Sequence, residues 1–175
     1  IALLLNIINI NFFKYAMLSC VAVKHSLEHI GLTGIYFKWP NDIYCQNKKI
    51  SGVIQETFLN KFNQQILIIG VGINYLFSPV EKRYNTTHIT EYINNISLKK
   101  YFEIYINYFL HYFNNFYSKN NVFFVQEYKK YQMFLNTNIK VKLNESEIIK
   151  GKFMGIKDDG SLILMKEKKE SLIYS

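Results

Sequence analysis

The chain opens on an apolar run from Ile1 to Ile10, broken only by Asn6 and Asn9, which predicts a buried strand. The period then changes. Cys20, Val23, Leu27 and Ile30 stand three and four residues apart, which predicts an amphipathic helix over Ala16 to Ile30 that stops at Gly31. Gly34 to Lys38 predicts the next strand, ended by Pro40, which has no N–H to give and pushes Trp39 into extended conformation. Ile43 to Gln46 and Lys49 to Gln55 flank a polar turn at Gln46 to Lys48, a hairpin pattern. Gln65 to Ile73 is a strongly apolar strand whose Gly70 and Gly72 invite close approach to its backbone.

From Ser97 to Tyr117 the apolar residues keep helical spacing throughout, among them Leu98, Tyr101, Phe102, Tyr105, Phe109, Phe113 and Phe116. A stripe at that period reads as a core helix rather than a platform for stacking bases. A second, shorter helix is predicted over Val122 to Phe134. After Asn136 the pattern turns to short strands at Ile139 to Leu143, Ile148 to Ile156, Ser161 to Met165 and Leu172 to Tyr174, with turns at Asn144 to Ser146 and Asp158 to Gly160. These predict a small barrel that needs the main unit to dock on. The division expected is therefore residues 1–136 and 137–175.

Composition changes this picture little. With 175 residues and 49% hydrophobic content the chain can build a real core. The longest apolar runs fall short of the roughly 18 to 20 residues that span a bilayer, so a soluble protein with no membrane partner is expected. A chain that begins on Ile1, inside a strand, is expected to have lost its natural start, and any targeting segment lies outside it. The net charge of +8 keeps nucleic acid in view as a partner. Yet Arg83 is the only arginine, whereas bidentate recognition of phosphates and bases favours arginine, so no nucleic-acid role is assigned. Cys20 and Cys45 show neither CxxC spacing nor nearby paired histidines and read as core or sheet thiols. His25, His29, His88 and His111 form no HExxH and read as packing or solvent-facing, so no metal ligands are assigned. There is no Walker P-loop, no GxGxxG opening a helix and no GxSxG elbow.

What remains are three ordered motifs: Lys38-Trp39-Pro40-Asn41-Asp42, then Lys48-Lys49-Ile50-Ser51-Gly52-Val53, then Gly70-Val71-Gly72-Ile73-Asn74. Together they closely resemble the biotin protein ligase family, and the resemblance runs on through the helical pair into the C-terminal strands. It implies an α+β fold: a mixed sheet flanked by helices, of the class II synthetase-like biotin/lipoate ligase type, followed by an SH3-like barrel. It implies a two-step reaction, in which the biotin carboxylate attacks the α-phosphate of ATP and the biotinyl group then passes to a lysine of a biotin carrier domain, such as that of acetyl-CoA carboxylase. ATP and Mg2+ are the implied cofactors, with biotin as substrate.

By position in the second motif, Lys49 corresponds to the family's essential lysine, the catalytic residue that contacts biotin and the reacting phosphate. Gly52 and Val53 are the further biotin-binding residues implied, and Asn41, Asp42 and Asn74 join Lys49 around ATP. A site that brings an anionic carboxylate to an anionic phosphate needs such a fixed cation. The resemblance also implies an upstream loop of the GRGRRG kind, absent from this chain, and a natural protein longer at both ends is expected. Lipoate-protein ligase and a noncatalytic carrier-binding module are the alternatives, with Trp39-Pro40 favouring biotin. By association the compartment is cytoplasmic, or a plastid or other organelle, and the protein acts as a monomer or as a homodimer.

Overall fold

A computed structural model of the chain describes residues 2–5, 11–119, 122–143, 146–167 and 169–174. Hairpins dominate its first sheet because its second to fifth strands follow one another through short connections. The five strands are β1 (Ala2–Leu5), β2 (Ile35–Lys38), β3 (Asp42–Cys45), β4 (Lys48–Leu59) and β5 (Gln65–Ile73), in the order β1-β5-β4-β3-β2. All neighbours in this sheet pair antiparallel, and among the described residues parallel contact is confined to two isolated bridges, Phe37 with Gln132 and Lys49 with Thr86.

Helix α1 (Phe12–His29) covers the inner face of the sheet, burying Met17, Leu18, Val21 and Val23 completely. Helices α2 (Leu98–Lys119) and α3 (Phe123–Lys130) pack on α1 from outside, through Tyr101, Tyr105, Phe109, Phe124 and Tyr128. The aromatic stripe is thus core along most of its length, but Leu98 and Phe102 at its start are exposed. Lys24 is buried among these helices, where its ammonium bonds both oxygens of Glu28 and reaches Glu127 at 3.1 Å, while its charge sits 4.0 Å from the Tyr131 ring. The last strands, β6 (Asn138–Lys142), β7 (Ile148–Ile156), β8 (Leu162–Lys166) and β9 (Lys169–Ile173), form a small antiparallel sheet in sequence order, consistent with an SH3-like unit. This is the α+β architecture read from the sequence.

Three boundaries differ from the periodicity by four residues each. Helix α1 starts at Phe12, four residues before Ala16, because the Asn11 side chain accepts the Phe13 N–H and caps it. Strand β4 runs to Leu59, past Gln55, since its far half pairs with β5 and is closed by Asn60, whose side-chain oxygen accepts from Phe62 and Gln64. Helix α3 ends at Lys130, short of Phe134, because the following backbone is taken up by the edge of β2: Phe37 donates to Tyr131 and Met133 donates to Phe37. The strand predicted at Ile1 to Ile10 is described only over Ala2–Leu5, with Ile1 and residues 6–10 outside the described residues, as are Asn144 and Glu145 of a predicted turn. No helix among the described residues is long and apolar enough to cross a membrane. Both cysteines are free and buried, and burial pushes the Cys20 thiol well above its ordinary range.

Candidate active site

The site begins at a turn. Gln46 and Asn47 both have positive φ, 47° and 65°, which closes β3 onto β4 through a two-residue connection of the mirror-image kind that suits strand twist. From this turn Cys45 pairs with Lys48 and Tyr44 with Lys49, but Ile43 pairs with Ser51 and Asp42 with Gly52. One residue, Ile50, is extra. Residues directly opposite one another across a ladder share a face, and a one-residue shift flips every side chain. The bulge at Ile50 therefore turns Lys49 onto the same face as Asp42 and Gly52, where unbroken alternation would have put Ile50. Ile50 itself is fully buried and its carbonyl accepts the Asn74 N–H.

On that face the Lys49 ammonium sits 2.5 Å from Asp42 Oδ1, with both side chains about one-quarter exposed. Gly52 lies directly beneath the pair: a Cβ there would stand 3.3 Å from Asp42 Oδ1 and 3.7 Å from Lys49 Nζ. Next along the floor, Gly72 faces Gly52 across the ladder, and a Cβ on Gly72 would meet only the Gly52 carbonyl, at 3.9 Å. At Gly70 the close approach anticipated from the sequence is internal, because the Ile54 side chain lies over it. These residues floor a cleft of about 760 Å³, large enough for a nucleotide and a small acid, whose wall is completed by Pro79, Tyr84 and Thr86.

The segment before β3 is fixed from several sides. Asn41 and Val53 bond each other twice: the Asn41 amide donates to the Val53 carbonyl and the Val53 N–H to the Asn41 carbonyl. Trp39 precedes a cis bond to Pro40 and donates its indole N–H to the Gly160 carbonyl of the small sheet, and Tyr128 donates to the Pro40 carbonyl. The Val53 side chain is buried on the helical face of β4, so what it presents toward the cleft is backbone. Asn74 reaches the cleft wall, but its amide donates to the carbonyls of Thr87, at 2.9 Å, and Lys49, at 3.4 Å. It thereby ties to β4 the loop that leaves β5.

That loop was not singled out in the sequence. It returns along Lys49, whose N–H donates to Asn85 and whose carbonyl accepts from Thr87, and brings the Tyr84 ring to 5.3 Å from the Lys49 ammonium. No spacing rule marks Tyr84; only the bridge between Lys49 and Thr86 makes it a neighbour. Lys48 faces away and pairs with Glu91 at 2.6 Å, an exposed contact that lowers the Glu91 carboxyl below its usual range. The four histidines stay outside the cleft: His25 and His29 bond tyrosines of α2, His88 bonds Thr90, and His111 neighbours Asn115.

A sequence model described as the Biotin/lipoate A/B protein ligase family matches residues 5–74, which hold all three motifs. The bifunctional ligase/repressor BirA of Escherichia coli is 26% identical over 147 residues, covering 82% of this chain and 46% of BirA. The chain thus spans less than half the length of that relative. The apo biotin protein ligase of Aquifex aeolicus superposes with a TM-score of 0.79 at 25% identity, over 99% of this chain and 77% of that one. The same ligase solved in complex with biotin and ATP shares the fold with a TM-score of 0.79, over 99% of this chain and 74% of that one, at 24% identity. Agreement reaches from the motifs through both sheets, and on these grounds the chain is similar to the biotin protein ligases.

Proposed function

We propose that the protein joins biotin to a lysine of a biotin carrier domain at the expense of ATP. Residues 1–136 would form the catalytic unit and 137–175 an SH3-like unit, a division supported by the two separate sheets. In the first step an oxygen of the biotin carboxylate bonds the α-phosphorus of ATP, the bond to the β-phosphate oxygen breaks, and pyrophosphate leaves. In the second the acceptor lysine amine bonds the acyl carbon, its proton is lost, and AMP leaves. Both reactants of the first step are anions, so a cation fixed in advance lowers the barrier without reorganising during the reaction. The Lys49 ammonium meets that need, and the bulge at Ile50, which sets it beside Asp42 over a floor of glycines, is the observation that carries this reading.

Gly52 and Gly72 leave the floor bare, so a flat bicyclic ring can lie against backbone, with Val53 contributing main chain. Asn41, Asp42 and Asn74 border the nucleotide's end of the cleft. Asp42 is the only carboxylate lining it, and no group of three or more His, Cys, Asp or Glu stands together among the described residues. The donor set does not fit a magnesium site held by the protein; magnesium would come as the counter-ion of ATP. Biotin is favoured over lipoate because the solved structures above are of a biotin protein ligase, one of them in complex with biotin and ATP.

The test incubates the full-length protein with MgATP, a carrier domain and either biotin or lipoate, beside Lys49→Ala. Biotin label that falls about a hundredfold or more in Lys49→Ala, the scale of losing one preorganised contact, supports the reading. A protein that binds the carrier yet transfers nothing would instead be a carrier-binding module.

A further inference from the structure

Tyr84 belongs to none of the three motifs, yet it is where two of their cations meet. Its ring centroid lies 5.3 Å from the Lys49 ammonium and 5.8 Å from that of Lys38, both within the range of attraction between a cation and an aromatic face. Lys38 comes from β2 and Lys49 from β4, with β3 between them, and because Lys38 stands opposite Asp42 in the ladder the two lysines share a face. Lys49 has Asp42 as its counter-charge, whereas Lys38 has no carboxylate partner among the described residues. It stands instead over two rings, 5.8 Å from the centroid of Tyr84 and 5.7 Å from that of Tyr44. Two ammonium groups against one carboxylate leave one positive charge around this ring, with Lys49 and Tyr84 lining the cleft and Lys38 the groove beside it. Like charges so placed repel, and the quadrupole of the shared ring offsets part of that repulsion. The complement to a pair of neighbouring ammonium groups is a chain of phosphates rather than a single carboxylate.

We infer that Tyr84 is a positioning residue for the polyphosphate of the nucleotide: its ring face gathers Lys38 and Lys49 so that the phosphates meet two cations already in place. The inference rests on the ligase reading above. It differs from an aromatic side chain that stacks on the adenine, because here the ring acts through the lysines and its hydroxyl has no part. Loop anchoring through Asn85 and Thr87 holds the ring there, since both bond the backbone of Lys49 itself.

Calorimetric binding of ATP, tripolyphosphate and adenosine to the full-length protein, with Tyr84→Phe and Tyr84→Leu, tests this. Tyr84→Leu is expected to weaken ATP and tripolyphosphate by about 2- to 5-fold for each ammonium released, and to leave adenosine unchanged. Tyr84→Phe keeps the ring and is expected to stay within about twofold of the parent. In a Lys38→Met background the effect of Tyr84→Leu should shrink, as expected of two residues that act on one another. The inference is overturned if adenosine weakens in step with ATP, if Tyr84→Phe is as impaired as Tyr84→Leu, or if Tyr84→Leu changes nothing. Ring-dependent binding of tripolyphosphate by a protein that transfers no biotin would uphold Tyr84 and sink the ligase reading. Biotin transfer with ring-independent binding would do the reverse.

Discussion

Replacing Gly52 by alanine separates the stability of the fold from the geometry of the site. The new Cβ would stand 3.3 Å from Asp42 Oδ1, 3.6 Å from Lys49 Cε and 3.7 Å from Lys49 Nζ, its three nearest neighbours. Two of these are ordinary contacts, and the third requires the carboxylate to give by a few tenths of an ångström. Relief is available because both neighbours are ends of flexible side chains. Alanine in a strand interior also regains roughly 0.5 to 1 kcal/mol over glycine, which offsets about 1 kcal/mol of crowding. Net stability should therefore change by less than about 1 kcal/mol, a shift in Tm that stays below about 2 to 4 °C for a chain of this size. The site is less forgiving, since the methyl group enters the gap between the Asp42–Lys49 pair and anything lying on the floor. Displacement of a reacting group by about 1 Å can cost about a hundredfold in rate, so biotin transfer should fall at least about tenfold. Thermal melts and streptavidin-detected transfer, run on one preparation, read both. Transfer within threefold of the parent at unchanged Tm would refute the placement of substrate over Gly52.

Three further outcomes follow from the same contacts. Gly160 has φ +92° and a Cβ there would collide with the Phe13 ring at 2.0 to 2.7 Å, so Gly160→Ala should cost about 2 to 5 kcal/mol from left-handed strain and overpacking, seen as a large drop in Tm. Burial pushes the Glu127 carboxyl up, but its bonds to Lys24 and His25 outweigh this and lower it overall. The stability it lends is therefore present above the ordinary glutamate value of about 4.3 and is lost as pH falls through the lowered one. Melts from pH 6 downward should show Glu127→Gln destabilised by about 1 to 3 kcal/mol at pH 6 and losing less than the parent in acid; equal acid losses in both would refute it. Trp39→Phe removes the indole bond to Gly160 while keeping an aromatic body, and should cost about 1 kcal/mol and lower transfer more than Tm alone explains, measured in the same paired assay.

How much of this was legible in the sequence differs from element to element. The hairpin from Ile43 to Gln55, the apolar β5 and the small C-terminal sheet could be read because local alternation and turn residues decide them. The end of α3 could not, because Tyr131 and Met133 are claimed by Phe37, nearly a hundred residues away in the chain. The same holds within the site. Lys49, Gly52, Asn41 and Asp42 stand in contiguous motifs and were found there, whereas Tyr84 and Thr86 reach the cleft only because the loop after β5 returns along β4. Even for Lys49 the motif supplied the residue and not its direction: plain alternation from Gly52 points Ile50 into the cleft and Lys49 into the core. A bulge leaves no periodic signature, since the extra residue is an isoleucine that suits a strand equally well.

The direction of Lys49 is nevertheless fixed more firmly than a side chain on a hairpin near its turn would be. Its N–H and carbonyl are both bonded to the returning loop, and the carbonyl also accepts from the Asn74 amide. Tyr44 holds it on the β3 side through the ladder. The bulge keeps its register because Ile50 is buried and its carbonyl accepts the Asn74 N–H, so unwinding the bulge would strip an apolar side chain from the core and orphan a backbone donor. Asn74 thus secures the lysine twice, once through the backbone of Ile50 and once through the loop that carries Tyr84. That gives the third motif a physical reason to lie beside the second: the strand that ends at Asn74 sets where the ammonium of Lys49 stands before any substrate arrives.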